Sequence, residues 1–242
     1  MRGTLLNTAT VAAGSLAGLA LGSHIPAAYE QVALQGIGLV VIGMGLKMFL
    51  ESRKVLVVAA SVALGGCLGM ALRFQEGLDA FSRWAQGLVG AGHGGSSSFS
   101  AGLVLASIVF CVGPLTVVGC IHDGLDGNIE LLALKSTLDG IASFFFAAAF
   151  GLGVVFSAGV VLVLQGALTL ASKPLAPVAK NRALLAELTG AGGVVLSAVG
   201  LKLLGILNMP VVDYLPALAF APLLASWASR LPKLFGSEAA VD

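Results

Sequence analysis

The sequence predicts an all-α, polytopic transmembrane helical bundle forming a single domain over residues 1–242, and three observations carry that prediction. Of its 242 residues, 57% are apolar and a further 33 are Gly. Charged residues amount to only 10%, against about 25% in an ordinary soluble domain. The mean hydropathy is +0.99. Thirteen basic and twelve acidic side chains are too few to cover a soluble protein of this size, so the surrounding solvent must be mostly lipid. In lipid each backbone polar group needs an internal partner, which selects helices for long apolar runs. The composition argues against a soluble enzyme. A net charge of +1 without a basic patch argues against nucleic acid as a partner.

A helix needs about 20 apolar residues to cross the hydrocarbon, and eight stretches meet that length: 3–22, 31–50, 54–72, 100–121, 131–151, 153–171, 183–205 and 211–230. The fifth and sixth form one apolar block, divided here at Gly151-Leu152-Gly153 because an unbroken helix would project beyond the bilayer. Loop charges favour eight spans over seven. Arg2, Arg53, Lys54, Lys173, Lys180, Arg182, Arg230 and Lys233 then share one side, whereas Arg73 and Arg83 lie on the other. The basic side is cytoplasmic by the positive-inside rule, which places both termini in the cytoplasm. The first run has no clean cleavage site, and more spans follow at once, so it reads as a retained helix rather than a signal peptide.

Residues 73–98 form the single long loop, on the outer face. Phe74, Leu78, Phe81, Ala85 and Leu88 recur at helical spacing with Trp84 beside them. This predicts an interfacial amphipathic helix on the outer leaflet, followed by a Gly/Ser tether over 90–98. The bland alternative is a plain connector.

Spans one to three and six to eight align at an offset of 155 residues, which sets Gly38, Val40, Gly45, Leu46 and Lys47 against Gly193, Val195, Gly200, Leu201 and Lys202. The second span runs inward and the seventh outward. A real repeat would therefore be inverted across the membrane plane, as in many secondary transporters, with spans four and five between the halves. Lys47 and Lys202 would be symmetry-related. The bland alternative is that both snorkel to opposite interfaces.

Charge inside a membrane is costly and needs a partner or a wet cavity. Lys135 and Asp139 stand four residues apart on one face of the fifth span, with Ser136 beside them. Asp139 lies roughly 12 Å into the helix, near mid-bilayer. The pair reads either as a self-neutralising structural element or as a site where Asp139 binds and releases H⁺ or Na⁺. In span four, Pro114 breaks the helix and frees the carbonyl of Phe110. The hairpin 120–130 holds Asp123, Asp126 and Asn128 without a basic residue. It reads as a cation-attracting vestibule or as a tight turn with solvated carboxylates. Asn7 and Gln165 complete the candidate set, Glu187 and Asp213 read as interfacial, and Pro216 and Pro222 suggest a second, weaker break in span eight. The Gly14/Gly18 and Gly65/Gly69 stripes permit close helix packing or a homodimer. Cys67, Cys111 and Cys120 lie in or beside apolar runs without metal-ligand spacing, and the three His residues are scattered. No metal site is expected, and the thiols read as packed and reduced.

Several of these motifs also resemble a known family. Gly3-Thr4-Leu5-Leu6-Asn7-Thr8, Cys111-Val112-Gly113-Pro114, Asp123-Gly124-Leu125, Lys135-Ser136-Thr137-Leu138-Asp139-Gly140 and Phe156-Ser157-Ala158 with Gln165-Gly166 resemble the YqgA/YdfK family of uncharacterised bacterial multi-pass inner-membrane proteins. The resemblance spans nearly the whole chain. It implies a bacterial inner-membrane location and no particular substrate. Met70 departs from the pattern, which has an acidic residue there.

The expected function is a secondary transporter or permease for a small solute or ion, coupled to H⁺ or Na⁺, with Lys135 and Asp139 central, Pro114 opposite, and Asp123 and Asp126 at the cytoplasmic entry. Besides the bilayer, its partner is that solute, and no cofactor is expected. The alternative is a non-transporting membrane scaffold or assembly factor. The chain is not expected to be an enzyme, because it shows no nucleophile–base pair, phosphate loop or paired catalytic carboxylates.

Overall fold

A computed structural model of the chain describes residues 1–22, 27–89 and 96–229. Among the described residues the elements are eleven α-helices and one 3-10 turn, without a strand, so the all-α class holds. In chain order they are α1 (Arg2–Gly22), α2 (Ala27–Leu50), α3 (Val55–Ala71), α4 (Phe74–Val89), α5 (Ser96–Cys111), α6 (Pro114–Leu125), α7 (Glu130–Phe150), α8 (Leu152–Leu170), α9 (Ser172–Lys180), α10 (Arg182–Leu203), the 3-10 turn (Val211–Tyr214) and α11 (Ala217–Ala228). Helix lies within each of the eight expected stretches, but the fourth is broken between Cys111 and Pro114 and the eighth opens on the 3-10 turn. Five segments are long and apolar enough to span alone: α1, α7, α8, α10 and Val211–Ala228. Counting the bent pairs α3/α4 (54°) and α5/α6 (62°) gives up to seven, and α2 has a shorter apolar stretch, Gln35–Leu50.

The division of the long apolar block falls where the residues demand it. Gly151 adopts φ +72°, a conformation that side chains resist, so α7 stops at Phe150 and α8 starts at Leu152. Leu39, Val40, Phe145, Val163 and Leu223 lie exposed along the helices. An outer surface this apolar suits lipid and not water.

Packing sorts the helices into two groups. One comprises α1, α5, α6, α7 and α8, and the other comprises α2, α3, α10 and α11. The two meet along a sparser seam made mainly by α10 against α5 and α6, and by α2 against α7. Glycine permits the tightest approaches. A Cβ on Gly14 would stand 2.2 Å from the Gly140 carbonyl oxygen, and one on Gly18 would stand 2.0 Å from that of Phe144. Gly65 and Gly69 likewise abut Ala217 and Asp213. Both stripes, expected to permit close helix packing or a homodimer, make close contacts within the chain. Small residues were placed there for intrachain contact.

The amphipathic pattern over 73–98 forms α4, but its stripe is only partly free for lipid. Ala85 is buried, Leu78 and Phe81 pack with it against Phe99, Leu103 and Phe156, and Phe74, Trp84 and Leu88 are exposed. The tether at 90–95 lies outside the described residues, and its last serines open α5.

Two carboxylates read as interfacial are buried helix caps. Glu187 on α10 accepts from the Ser52 hydroxyl (2.6 Å) and the Arg53 and Lys54 amides (both 3.0 Å), closing the start of α3. Asp213 accepts from the Gln75 amide at 2.8 Å, at the start of α4. Unpaired amides at a helix start attract negative charge, which is why acids sit there. Glu187→Ala is expected to lower thermal stability in detergent by about 2–3 kcal/mol, and Glu187→Gln should recover part of that loss.

Candidate functional site

The side chain of Asn128 starts α7 by accepting the Glu130 amide at 2.9 Å. One and a half turns later Lys135, and then Asp139, face the interior of the first helix group. They form an ion pair through Lys135 Nζ and Asp139 Oδ2, each residue being 7% exposed. Asn7 on α1 completes the group, its Nδ2 donating to Asp139 Oδ2 at 2.9 Å. Close packing of α1 on α7 through Gly14 and Gly140 brings Asn7 there. One carboxylate oxygen thus takes both the ammonium and the amide, while Asn7 Oδ1 is buried without a hydrogen-bond partner.

Beside this group lies the break between α5 and α6. Pro114 is the first residue of α6 and not a kink within a continuous span. Because Pro114 has no N–H to offer, the Phe110 carbonyl accepts instead from Thr116 Oγ1 (3.3 Å) and, at 3.5 Å, from Gln165 Nε2 on α8. Gln165 is fully buried and its Oε1 has no partner. The Cys111 thiol, at the end of α5, lies within electrostatic range of both Lys135 and Asp139. Val112 packs against Gly192 of α10, placing the break on the seam between the helix groups.

Aromatic rings close the site on one side. Phe146, two turns beyond Asp139, stacks on Phe110 with ring centroids 5.8 Å apart. Phe150, one further turn along, lines a cavity of about 620 Å³ that also touches α4, α5, α10 and residues 208–211. The order along α7 is therefore cavity, aromatic pair, charged group.

Residues 2–226 match the family described as "Protein of unknown function (DUF554)". The chain belongs to the DUF554 family. Relatives similar to this DUF554 protein include "Uncharacterized membrane protein YdfK" of Bacillus subtilis (strain 168), 29% identical over 232 residues covering 93% of this chain and 95% of the relative. Another is "Uncharacterized protein YqgA" of Escherichia coli (strain K12), 26% identical over 230 residues covering 94% and 97%. The family resemblance drawn from the motifs is thus borne out. No solved structure matches. With its apolar helices, this DUF554 chain is a membrane protein.

The structure joins some of the expected residues and separates others. Asn7, Lys135 and Asp139 meet, with Phe110, Pro114 and Gln165 alongside. Ser136 is buried but donates to the Leu132 carbonyl of its own helix at 2.6 Å. The vestibule expected at the acidic hairpin is corrected. Asp123 is buried against the start of α1, accepting from the Gly3 (3.0 Å) and Thr4 (3.4 Å) amides and the Met1 amine (2.9 Å). Asn128 is a cap, and Asp126 is exposed. Three carboxylates, Asp123, Glu187 and Asp213, therefore serve one purpose in this fold. Lys47 is exposed on α2, whereas Lys202 lines the cavity. Sequence reasoning missed Thr116, whose only signal was its place two residues after Pro114. It also missed Gln75 and Asp79 of α4, which line the same cavity.

Proposed function

We propose that this DUF554 protein is a secondary permease of the bacterial inner membrane, with both termini cytoplasmic, moving a small solute or ion with H⁺ or Na⁺ as the driving ion. The observation that carries this reading is the Lys135–Asp139–Asn7 group buried against a broken helix. Burying an ion pair costs several kcal/mol per charge, so it stabilises little by itself. A charged pair at mid-membrane is better used by a group that must bind and release. Asp139 is the carboxylate for the driving ion, and Lys135 is its internal counter-cation when that ion has left. The Phe110 carbonyl and the partnerless amide oxygens of Asn7 and Gln165 add neutral acceptors suited to a cation or to water. Discontinuous helices supply such acceptors in many secondary transporters.

An inverted repeat would fit the same reading. The aligned helices α2 and α10 pack antiparallel, their repeat glycines meeting crosswise, Gly45 on Gly193 and Gly38 on Gly200. The aligned pairs α1 with α8 and α3 with α11 also pack together. Rocking of the two helix groups about their sparse seam would expose the charged group to alternate sides, with the Phe110–Phe146 stack as the barrier on the cavity side.

Purified protein in liposomes under an imposed H⁺ or Na⁺ gradient tests the proposal. Wild type is expected to carry ions or solute with the gradient, read by an internal pH-sensitive dye or a Na⁺ tracer. Absence of flux and of ion-dependent stabilisation across inorganic cations, sugars, amino acids and organic acids would overturn it. Phe146→Leu, which thins the barrier while staying apolar, is expected to raise the basal leak several-fold in the same assay.

A further inference from the structure

The cavity on the seam has a chemistry that the central charged group does not explain. Its walls come from both helix groups: Ser100, Val104, Leu105 and Phe150 on one side, Val199, Lys202 and Leu203 on the other, with Gln75 and Asp79 of α4 at its edge. The polar wall is held in place. Gln75 gives its amide to Asp213 (2.8 Å), accepts the Val212 amide through Oε1 (3.4 Å) and donates Nε2 to Asp79 Oδ1 (3.1 Å). One oxygen of Asp79 is thereby used and the other is left over. Lys202 Nζ donates to the Met209 carbonyl at 3.2 Å, a single bond from a group with three donors.

Asp79 and Lys202 both line this space, yet neither forms an ion pair with the other or with any described residue. Two opposite charges without an ion-pair partner thus line one cavity, whose remaining walls include the apolar side chains of Val104, Leu105, Phe150 and Val199. A volume of about 620 Å³ falls in the usual range for small-molecule sites. The geometry points to a binding site for a small zwitterion with an apolar body, its carboxylate on Lys202, its ammonium on Asp79, and its hydrocarbon over Leu105 and Phe150. A ligand of one charge would leave one wall charge unpaired and would displace its water for nothing. This deepens the permease reading, since along α7 the cavity-lining Phe150 is followed towards Asp139 by the Phe146 of the aromatic stack.

The experiment compares matched probes on the wild-type protein in detergent or nanodiscs, read by ligand-dependent thermal stabilisation. L-leucine is set against 4-methylpentanoate and 3-methylbutylamine, and 6-aminohexanoate against hexanoate and hexylamine, so that each zwitterion meets its single-charge counterparts. At least one zwitterion is expected to bind about tenfold more tightly than both of its counterparts, the value of one charge-assisted contact. Lys202→Gln should abolish its advantage over the amine, and Asp79→Asn its advantage over the carboxylate. Equal binding of zwitterion and counterparts, no stabilisation by any probe up to millimolar concentrations, or an advantage untouched by both substitutions overturns the site. The wild-type comparison needs no variant to fold. Gradient-driven flux without zwitterion preference would sink this site and leave the permease standing. Zwitterion binding that depends on Lys202 and Asp79 in a protein without flux would do the reverse.

Discussion

Asp139→Asn is expected to reduce ion-coupled flux in proteoliposomes below detection, while the protein still inserts and purifies. Stability and transport should then separate in a double-mutant cycle. Lys135→Met alone leaves a carboxylate buried without its cation, and is expected to destabilise by about 3–5 kcal/mol. Lys135→Met combined with Asp139→Leu removes both charges from the low-dielectric interior, and should recover most of that stability. Its flux should stay at zero. A double variant that still transports would show that the ion pair is only a structural clasp. One that cannot regain stability would show that Asn7 and its neighbours depend on the pair for packing. Thermal unfolding in detergent beside dye-reported flux distinguishes these results.

The second large effect concerns the contact of α1 with α7, because that contact positions Asn7 over Asp139. Gly18→Ala would put a methyl carbon 2.0 Å from the Phe144 carbonyl oxygen, and Gly14→Ala would put one 2.2 Å from that of Gly140. Backbone cannot retreat as a flexible side chain can, so the helices must part. Each change is expected to cost about 1–3 kcal/mol and to impair flux as Asn7 leaves Asp139. Gly36→Ala and Gly43→Ala provide the contrast, since nothing lies within 4 Å of a Cβ at either site. Those variants should be neutral, or more stable by up to about 1 kcal/mol through helix propensity. Similar losses at all four positions would mean that glycine matters here for flexibility and not for close approach.

The candidate site shows which parts of such an argument a one-dimensional reading can reach. Lys135 and Asp139 were readable as partners because a helix places residues four apart on one face, and the break at Pro114 because proline lacks an amide proton. Gln165 and Asn7 stood out as polar groups in apolar runs. That Asn7 meets Asp139, and Gln165 the Phe110 carbonyl, depends on which helices touch, and no local rule states that. Asp123 was misjudged for the same reason. An acid in a Gly-rich turn looks solvated until the amide groups that it caps, 119 and 120 residues away in the chain, are brought against it.

By itself the sequence determined the solvent, the helical class, the place of the turns at Gly151 and Pro114, and the family. Each of these follows from composition or from the backbone chemistry of one or two residues. Tertiary packing alone decided that the Gly14/Gly18 and Gly65/Gly69 stripes make close contacts within the chain, that three buried acids close the starts of distant helices, and that Lys202 and Asp79 share a cavity without pairing. Those outcomes depend on which faces meet across the bundle, and in lipid the packing of small side chains and the pairing of buried polar groups select the faces.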